Sequence, residues 1–233
     1  MKKNYYDIEK NLNKIYKGEP TYFLDPLTYN IVSKKLKNIN YNIYSPYKDS
    51  EKVIIYTDKL PNIKLIEIIS YDKLTHSEIM GSLFGFQITN EMFGDIIIYN
   101  NHYYVPIIAN LYEMFIRDFQ SVGNHSVTIK EVDISIIDNY QKAYEDIELI
   151  VGSLRIDSIV AKLIGSSRDN IKKRFLDGDI ILNYEECTKY TTNLNIGDIF
   201  SIRRNGKYKL DNIIGKTKKD NYIINIKKYI SNN

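Results

Sequence analysis

The stretch SLRIDSIVAKLIGSSRDNIKKRFLDGDIILN, residues 153–183, decides how the chain is read. Ile156, Ile159, Val160 and Leu163 recur three and four residues apart, the spacing that gathers side chains on one face of a helix. Ile171 and Phe175 begin a second stripe of the same period. Between the stripes, Ser166 and Ser167 are both competent N-caps, because a hydroxyl oxygen can accept from the unpaired N–H groups of a helix start. Gly178 suits a C-terminal stop, and the apolar run after it has the length of a strand. The segment therefore predicts a tight helix-turn-helix followed by a strand.

Charge is placed unevenly on this unit. Arg168 and Lys172, four residues apart, can share one helical face, and Lys173 follows directly. The start of a helix carries partial positive charge and free N–H donors, so cations there form a phosphate-binding surface, to which Arg155 adds a forked donor. Three basic residues alone would more often simply solvate a helix. The whole chain shows the same bias: residues 1–151 hold 16 Lys+Arg and 20 Asp+Glu, net −4, whereas 152–233 hold 16 and 9, net +7. Such asymmetry points to a polyanion-binding module on a near-neutral body, with nucleic acid or an anionic membrane surface as candidate partner.

Upstream, periodic apolar residues predict a helix over 4–17, ended near Gly18. Asp25 before Pro26 marks the start of a second, running to about Lys37. Short strands are expected at 41–44 and 53–56. From Ile63 the expected order is a strand over 64–70, a helix opened by a Thr75–Glu78 capping box, strands over 95–99 and 103–107 joined by Asn100-Asn101, a helix over about 109–120 and a strand over 127–132. This β-α-β-β-α-β order is that of a ferredoxin-like, RRM-like sheet. The first strand has no aromatic residue, which leaves Tyr103 and Tyr104 as its only base-stacking candidates. The acidic stretch 138–148 reads as a linker. The expected class is thus α+β, with an α/β domain over 1–60, a ferredoxin-like domain over 61–150 and the basic domain, with a C-terminal β extension, over 152–233.

Little suggests catalysis. There is no nucleotide-binding glycine loop, and no Cys/His cluster has metal-ligand spacing, so no metal or cofactor is expected. His76, His102 and His125 are well separated, and Asp25, Asp95 and Asp133 have capping or strand-end explanations, so no catalytic residue is assigned. The single cysteine, Cys187, suggests a reducing compartment. The N-terminal stretch lacks an apolar signal-type core and no span has membrane length, so a cytoplasmic location is expected. Tyrosine occurs 21 times beside abundant Ile, Asn and Lys, and scattered tyrosines are taken as filler.

RID at 155–157, SR at 167–168, Gly178 before a strand, Asn183 and GD at 197–198 together resemble the RNA-binding domain named after small-subunit ribosomal protein four. FLDP at 23–26, GSLFGF at 81–86, FGDI at 93–96 and GKTKK at 215–219 extend the match, and the chain resembles the YlmH family. The resemblance implies RNA contacts at Arg155, Arg168 and Lys172; Ser167 belongs to the same motif, while Lys173, Lys189 and Arg203 are extensions from charge and placement. It also implies binding to ribosomal RNA of the large subunit, with peptidyl-tRNA, in ribosome-associated quality control, by a bacterial, non-enzymatic monomer with no membrane partner. The residues after Leu182, NYEEC, are less basic than in many relatives, which weighs against RNA contacts from that loop. The rival readings are an interaction scaffold linked to cell division and an RNA-modifying enzyme of the pseudouridine synthase type.

Overall fold

The computed structural model describes residues 5–230, the side chain of Arg168 excepted. It is a mixed α+β structure with several sheets, divided into two compact units that meet between Gln141 and Lys142 in the sequence.

In the first unit, α1 (Tyr5–Tyr16) buries Ile8, Leu12 and Ile15; Asn4, where the sequence would begin it, lies outside the described residues. α2 (Pro26–Lys35) opens at Asp25, whose carboxylate accepts from the Thr28 N–H at 2.9 Å. These helices share a core of Leu24, Val32, Leu36 and Ile55 with the two-stranded sheet of β1 (Asn42–Tyr44) and β2 (Ile54–Tyr56).

A four-stranded antiparallel sheet follows. Its elements are β3 (Ile63–Ile69), α3 (His76–Gly85), β4 (Ile97–Tyr99), β5 (His102–Ile108), α4 (Tyr112–Asp118), a two-residue pair β6 (Ser121–Val122) and β7 (His125–Ser126), and β8 (Thr128–Val132). The sheet runs β4-β5-β3-β8, with β3 central. Both arms of the Thr75–Glu78 capping box form, and Asn100 and Asn101 take the positive φ values of 51° and 63° that a two-residue hairpin needs. One face packs Ile66, Ile68, Val105 and Ile107 against Phe115 of α4 and Leu83 of α3. The opposite face is covered as well: Leu65, Ile97 and Tyr104 pack with Tyr47, Ile137 and Tyr140. Tyr103 and Tyr104, expected as base-stacking candidates, are therefore only 5% and 6% exposed, and the Tyr103 hydroxyl is held by the Leu74 N–H at 2.8 Å. Neither offers a free stacking platform.

The second unit contains β9 (Tyr144–Val151), α5 (Ile156–Ile164), α6 (Arg168–Leu176), β10 (Ile180–Leu182), β11 (Glu185–Glu186), β12 (Ile199–Ile202), β13 (Gly206–Lys216) and β14 (Tyr222–Tyr229). Its six strands run β11-β10-β12-β13-β14-β9. Ile156, Ile159, Val160, Ile171 and Phe175 of the two helices pack against Phe200, Leu210, Ile224, Ile226 and Leu149 of the sheet. The expected linker over 138–148 is corrected here: from Tyr144 it is an edge strand paired to β14 along its whole length. Its acids face lysines across the pair, Glu145 opposite Lys228 and Asp146 opposite Lys227, and the Glu145 carboxylate lies 3.5 Å from Lys228 Nζ. Opposite charges directly across a ladder favour this register. Drawn at Lys142, the second unit holds 17 Lys+Arg and 12 Asp+Glu, net +5.

Phe175 is 1% exposed at the centre of this core, whereas its neighbour Leu176 is 85% exposed. Phe175→Ala is expected to lower the unfolding free energy by about 3–5 kcal/mol in urea titrations, and Leu176→Ala to leave it within about 0.5 kcal/mol.

Candidate nucleic-acid interface

The first helix of the basic unit is held at its start by charge. Arg155 is the N-cap residue of α5, and its guanidinium donates from Nε and Nη2 to the two oxygens of Asp157 at 3.1 and 2.6 Å. One carboxylate oxygen also accepts from the Ser158 N–H at 2.8 Å. The Asp157 side chain is buried, while that of Arg155 is 40% exposed. Hydrogen bonding to Asp157 raises the Arg155 pKa above its ordinary value, so the cation is permanent and pre-aimed. Two of its five N–H donors serve Asp157 and the others remain available to a ligand.

The loop after β11 crosses the same place. Thr192 O accepts from the Ile156 N–H and Tyr190 O from the Asp157 N–H, at 2.9 and 3.3 Å. The Tyr190 ring meets α6: it packs on Phe175, with centroids 6.4 Å apart, and Lys172 Nζ sits 5.9 Å over it. Ser167 caps α6 by accepting the Asn170 N–H at 3.3 Å. Lys172 is tied to exposed Asp169 at 3.1 Å, a weak link in water. Lys173 and Lys189 are exposed. Arg168 opens α6, and its side chain lies outside the described residues.

Arg203 belongs to a separate node beyond the end of α6. Asp179 takes Arg174 Nε at 3.3 Å and stands 3.6 Å from Arg203 Nη1, and Arg174 Nη1 donates to Asn205 at 2.8 Å. Arg174 thus pins the β12–β13 turn to α6. The structure groups Arg155, Lys172 and the 189–192 loop, and sets Arg203 in this second cluster. Two residues escaped the sequence reading. Tyr190 was masked by the abundance of tyrosine, and Arg174 by a helical stripe that gave no hint of a turn 30 residues later. Asn183 and Asp198 serve the architecture: the Asn183 amide donates to Asp198 at 2.8 Å and accepts from the Ile199 N–H at 3.0 Å.

The aspartates weighed as an acidic site are each engaged structurally. Asp25 caps α2, Asp133 accepts from the Ser135 N–H, and Asp95 accepts from the Tyr47 hydroxyl and the Glu51 N–H at 2.5 and 2.8 Å. Burial holds the His76 pKa below its usual value, and Cys187 is buried with its thiol pKa raised. Among the described residues no helix is long and apolar enough to cross a membrane.

Comparison with known proteins bears on this geometry. A protein-family model described as "Putative RNA-binding domain in YlmH" matches residues 61–136. The chain is 26% identical over 147 residues to the ribosome-associated protein quality control protein P2 of Bacillus subtilis (strain 168), a match covering 63% of this chain and 57% of that protein. Residues 61–136 thus resemble the RNA-binding domain described for YlmH. A solved structure of cell division protein ylmH from Streptococcus pneumoniae aligns at 21% identity over 60% of this chain and 96% of that one, with a TM-score of 0.45. The chain thus spans little more than half the length of the curated relative. These matches support an RNA-binding role, and the segment matched by the family model corresponds to the β3–β8 module. That module has 4 Lys+Arg and 9 Asp+Glu, net −5, so its own charge opposes phosphate approach.

Lys172→Ala with Lys173→Ala removes two exposed cations and no core contact. The slope of log K against log salt for RNA binding, read by fluorescence anisotropy, is expected to become shallower by about 0.7–0.9 per lysine removed. Arg174→Ala is expected instead to lower the melting temperature, because it frees the β12–β13 turn.

Proposed function

We propose that this chain is a non-catalytic RNA-binding protein that holds ribosomal RNA of the large ribosomal subunit, together with peptidyl-tRNA, in ribosome-associated quality control. The observation that carries the reading is the meeting of the α5 start, capped by Arg155, with the loop of Tyr190, over whose ring Lys172 of α6 stands, on a unit of net charge +5. Fixed cations, free helix-start N–H groups and an aromatic face are what folded RNA offers phosphates and unstacked bases to. The name of the Bacillus subtilis relative supports the ribosomal context.

In this reading the second unit is an S-four-type RNA-binding domain, with the β13–β14 hairpin and β9 as its β extension. Arg155, Ser167, Lys172, Lys173 and Lys189 are assigned to its RNA contacts, Arg203 to a second contact at the α6 node, and Arg168 is carried over from the sequence resemblance. The β3–β8 module is ferredoxin-like, its sheet ordered fourth, first, third, second by position in the motif. Because that module is acidic and both its sheet faces are covered, it guides or discriminates rather than supplying bulk affinity. Within the first unit, α1, α2, β1 and β2 form a small α/β domain packed with that module. The protein acts as a cytoplasmic monomer.

Co-sedimentation with purified large ribosomal subunits, with and without peptidyl-tRNA and across a salt series, tests the reading. Lys172→Ala, Lys173→Ala, Lys189→Ala is the informative variant, since Arg155→Ala would leave the buried Asp157 carboxylate unpaired and confound binding with folding. The wild type is expected to pellet preferentially with tRNA-blocked subunits and the folded variant to stay in the supernatant at moderate salt. A wild type that pellets with neither form even at low salt contradicts the reading.

A further inference from the structure

The β13–β14 hairpin, which carries the GKTKK stretch at 215–219, reaches past the strand beside it. β12 pairs with β13 only over residues 206–209, whereas β14 pairs with it as far as Lys216. From Asp211 to Lys216, roughly 20 Å of strand, β14 is the one strand paired to β13 among the described residues. The β14–β9 ladder runs unbroken to the Tyr222–Val151 pair and braces the hairpin up to the base of its tip.

The tip is locked by its own hydrogen bonds. The Thr217 N–H donates to Asn221 O at 2.8 Å, the Asp220 N–H to Thr217 O at 2.9 Å, and the Asn221 N–H to the Thr217 hydroxyl at 3.2 Å. Asp220 takes a φ of 62°, a left-handed value that Asp tolerates and that closes a short hairpin loop. Lys216 serves the same lock: its Nζ donates to Asp220 at 2.8 Å and lies 4.8 Å from the Tyr222 ring centroid. Lys218 and Lys219 hold the corner of the turn, both exposed, and among the described residues no contact engages either. The nearest acids along the hairpin are committed elsewhere, Asp220 to Lys216 and Asp211 to Lys209 and Lys227 at 3.9 and 3.2 Å. The corner therefore presents two uncompensated cations on a fixed turn.

This corner stands near the start of α5. Gly152 lies so close to Asn221 that a Cβ on it would sit 3.6 Å from the Asn221 side-chain oxygen. Three residues separate Gly152 from Arg155, a span of at most about 11 Å.

We infer that the Lys218–Lys219 corner is a further phosphate contact for the RNA that Arg155 and α6 hold, a rigid finger laid against its backbone. The inference rests on the RNA-binding reading above and extends that footprint to the hairpin. An ammonium group is a compact charge with three donors, so it grips phosphate without reading bases. A turn already locked loses little freedom when it binds.

Binding of the full chain to purified large ribosomal subunits across a salt series is the test. Lys218→Ala with Lys219→Ala is expected to weaken binding severalfold at moderate salt, with an unchanged melting temperature. The slope of log K against log salt should become shallower by about 0.7–0.9 per lysine. Lys218→Arg with Lys219→Arg keeps both charges and should bind at least as tightly as wild type. Hydroxyl radicals from an iron chelate tethered at Lys218→Cys, with Cys187 buried and unlabelled, should cut ribosomal RNA at one discrete cluster of positions. A folded double-alanine variant that matches the wild type in affinity and salt slope, or a tethered chelate that cuts no RNA, overturns the inference and leaves the proposed function standing. So does a double variant that loses only binding to anionic vesicles. A wild type that binds no large subunit removes the proposed function and the inference together.

Discussion

Asp157 is 3% exposed yet carries a carboxylate, and its oxygens accept from Arg155 Nε and Nη2 and from the Ser158 N–H. A buried charge without such partners would be strongly destabilising, so the pair fixes where α5 can begin. Once α5 begins there, the backbone of Ile156 and Asp157 takes Thr192 and Tyr190 as partners, and the loop carrying Tyr190 is drawn over both helices. The same ion pair holds Arg155 half in solvent with donors to spare. One interaction thus secures the fold and aims the site.

The sheet beneath has its own electrostatic logic. β9 is acidic because it borders β14, whose lysines stand opposite Glu145 and Asp146. Its apolar positions, Leu149 and Val151, close the core that α5 and α6 cover, and Glu148 and Ile150 point outward. The strand therefore both completes the hydrophobic layer and trims the charge of the unit to +5, leaving the excess cations on α6, the loops and the turn after β12.

Local chemistry was legible in the sequence, and long-range chemistry was not. The Asp25-Pro26 start, the Thr75–Glu78 capping box, the Asn100-Asn101 turn and the Ser167 cap are each set by residues within a few positions of one another, and each is found as expected. β9 was missed because a run of acids looks like a linker until the lysines 80 residues away are set opposite it. Tyr103 and Tyr104 looked available because nothing in β5 foretells that Tyr47, Ile137 and Tyr140 cover the sheet. Arg155 and Lys172 were visible from spacing and resemblance, whereas Tyr190 became distinct from 20 other tyrosines only when the loop was placed. Sequence also weighted the basic third over the middle module, to which the family's RNA-binding description belongs.

In the proposed function the basic unit is the electrostatic anchor and the acidic β3–β8 module has a discriminating role. Hydrogen–deuterium exchange of the full chain, alone and bound to large ribosomal subunits, tests that division most directly. If the anchor is the α5–α6 face, binding slows exchange at the Ser167–Asn170 backbone and in the 189–193 loop. Protection confined to residues 61–136, with the α6 start unchanged, would contradict it.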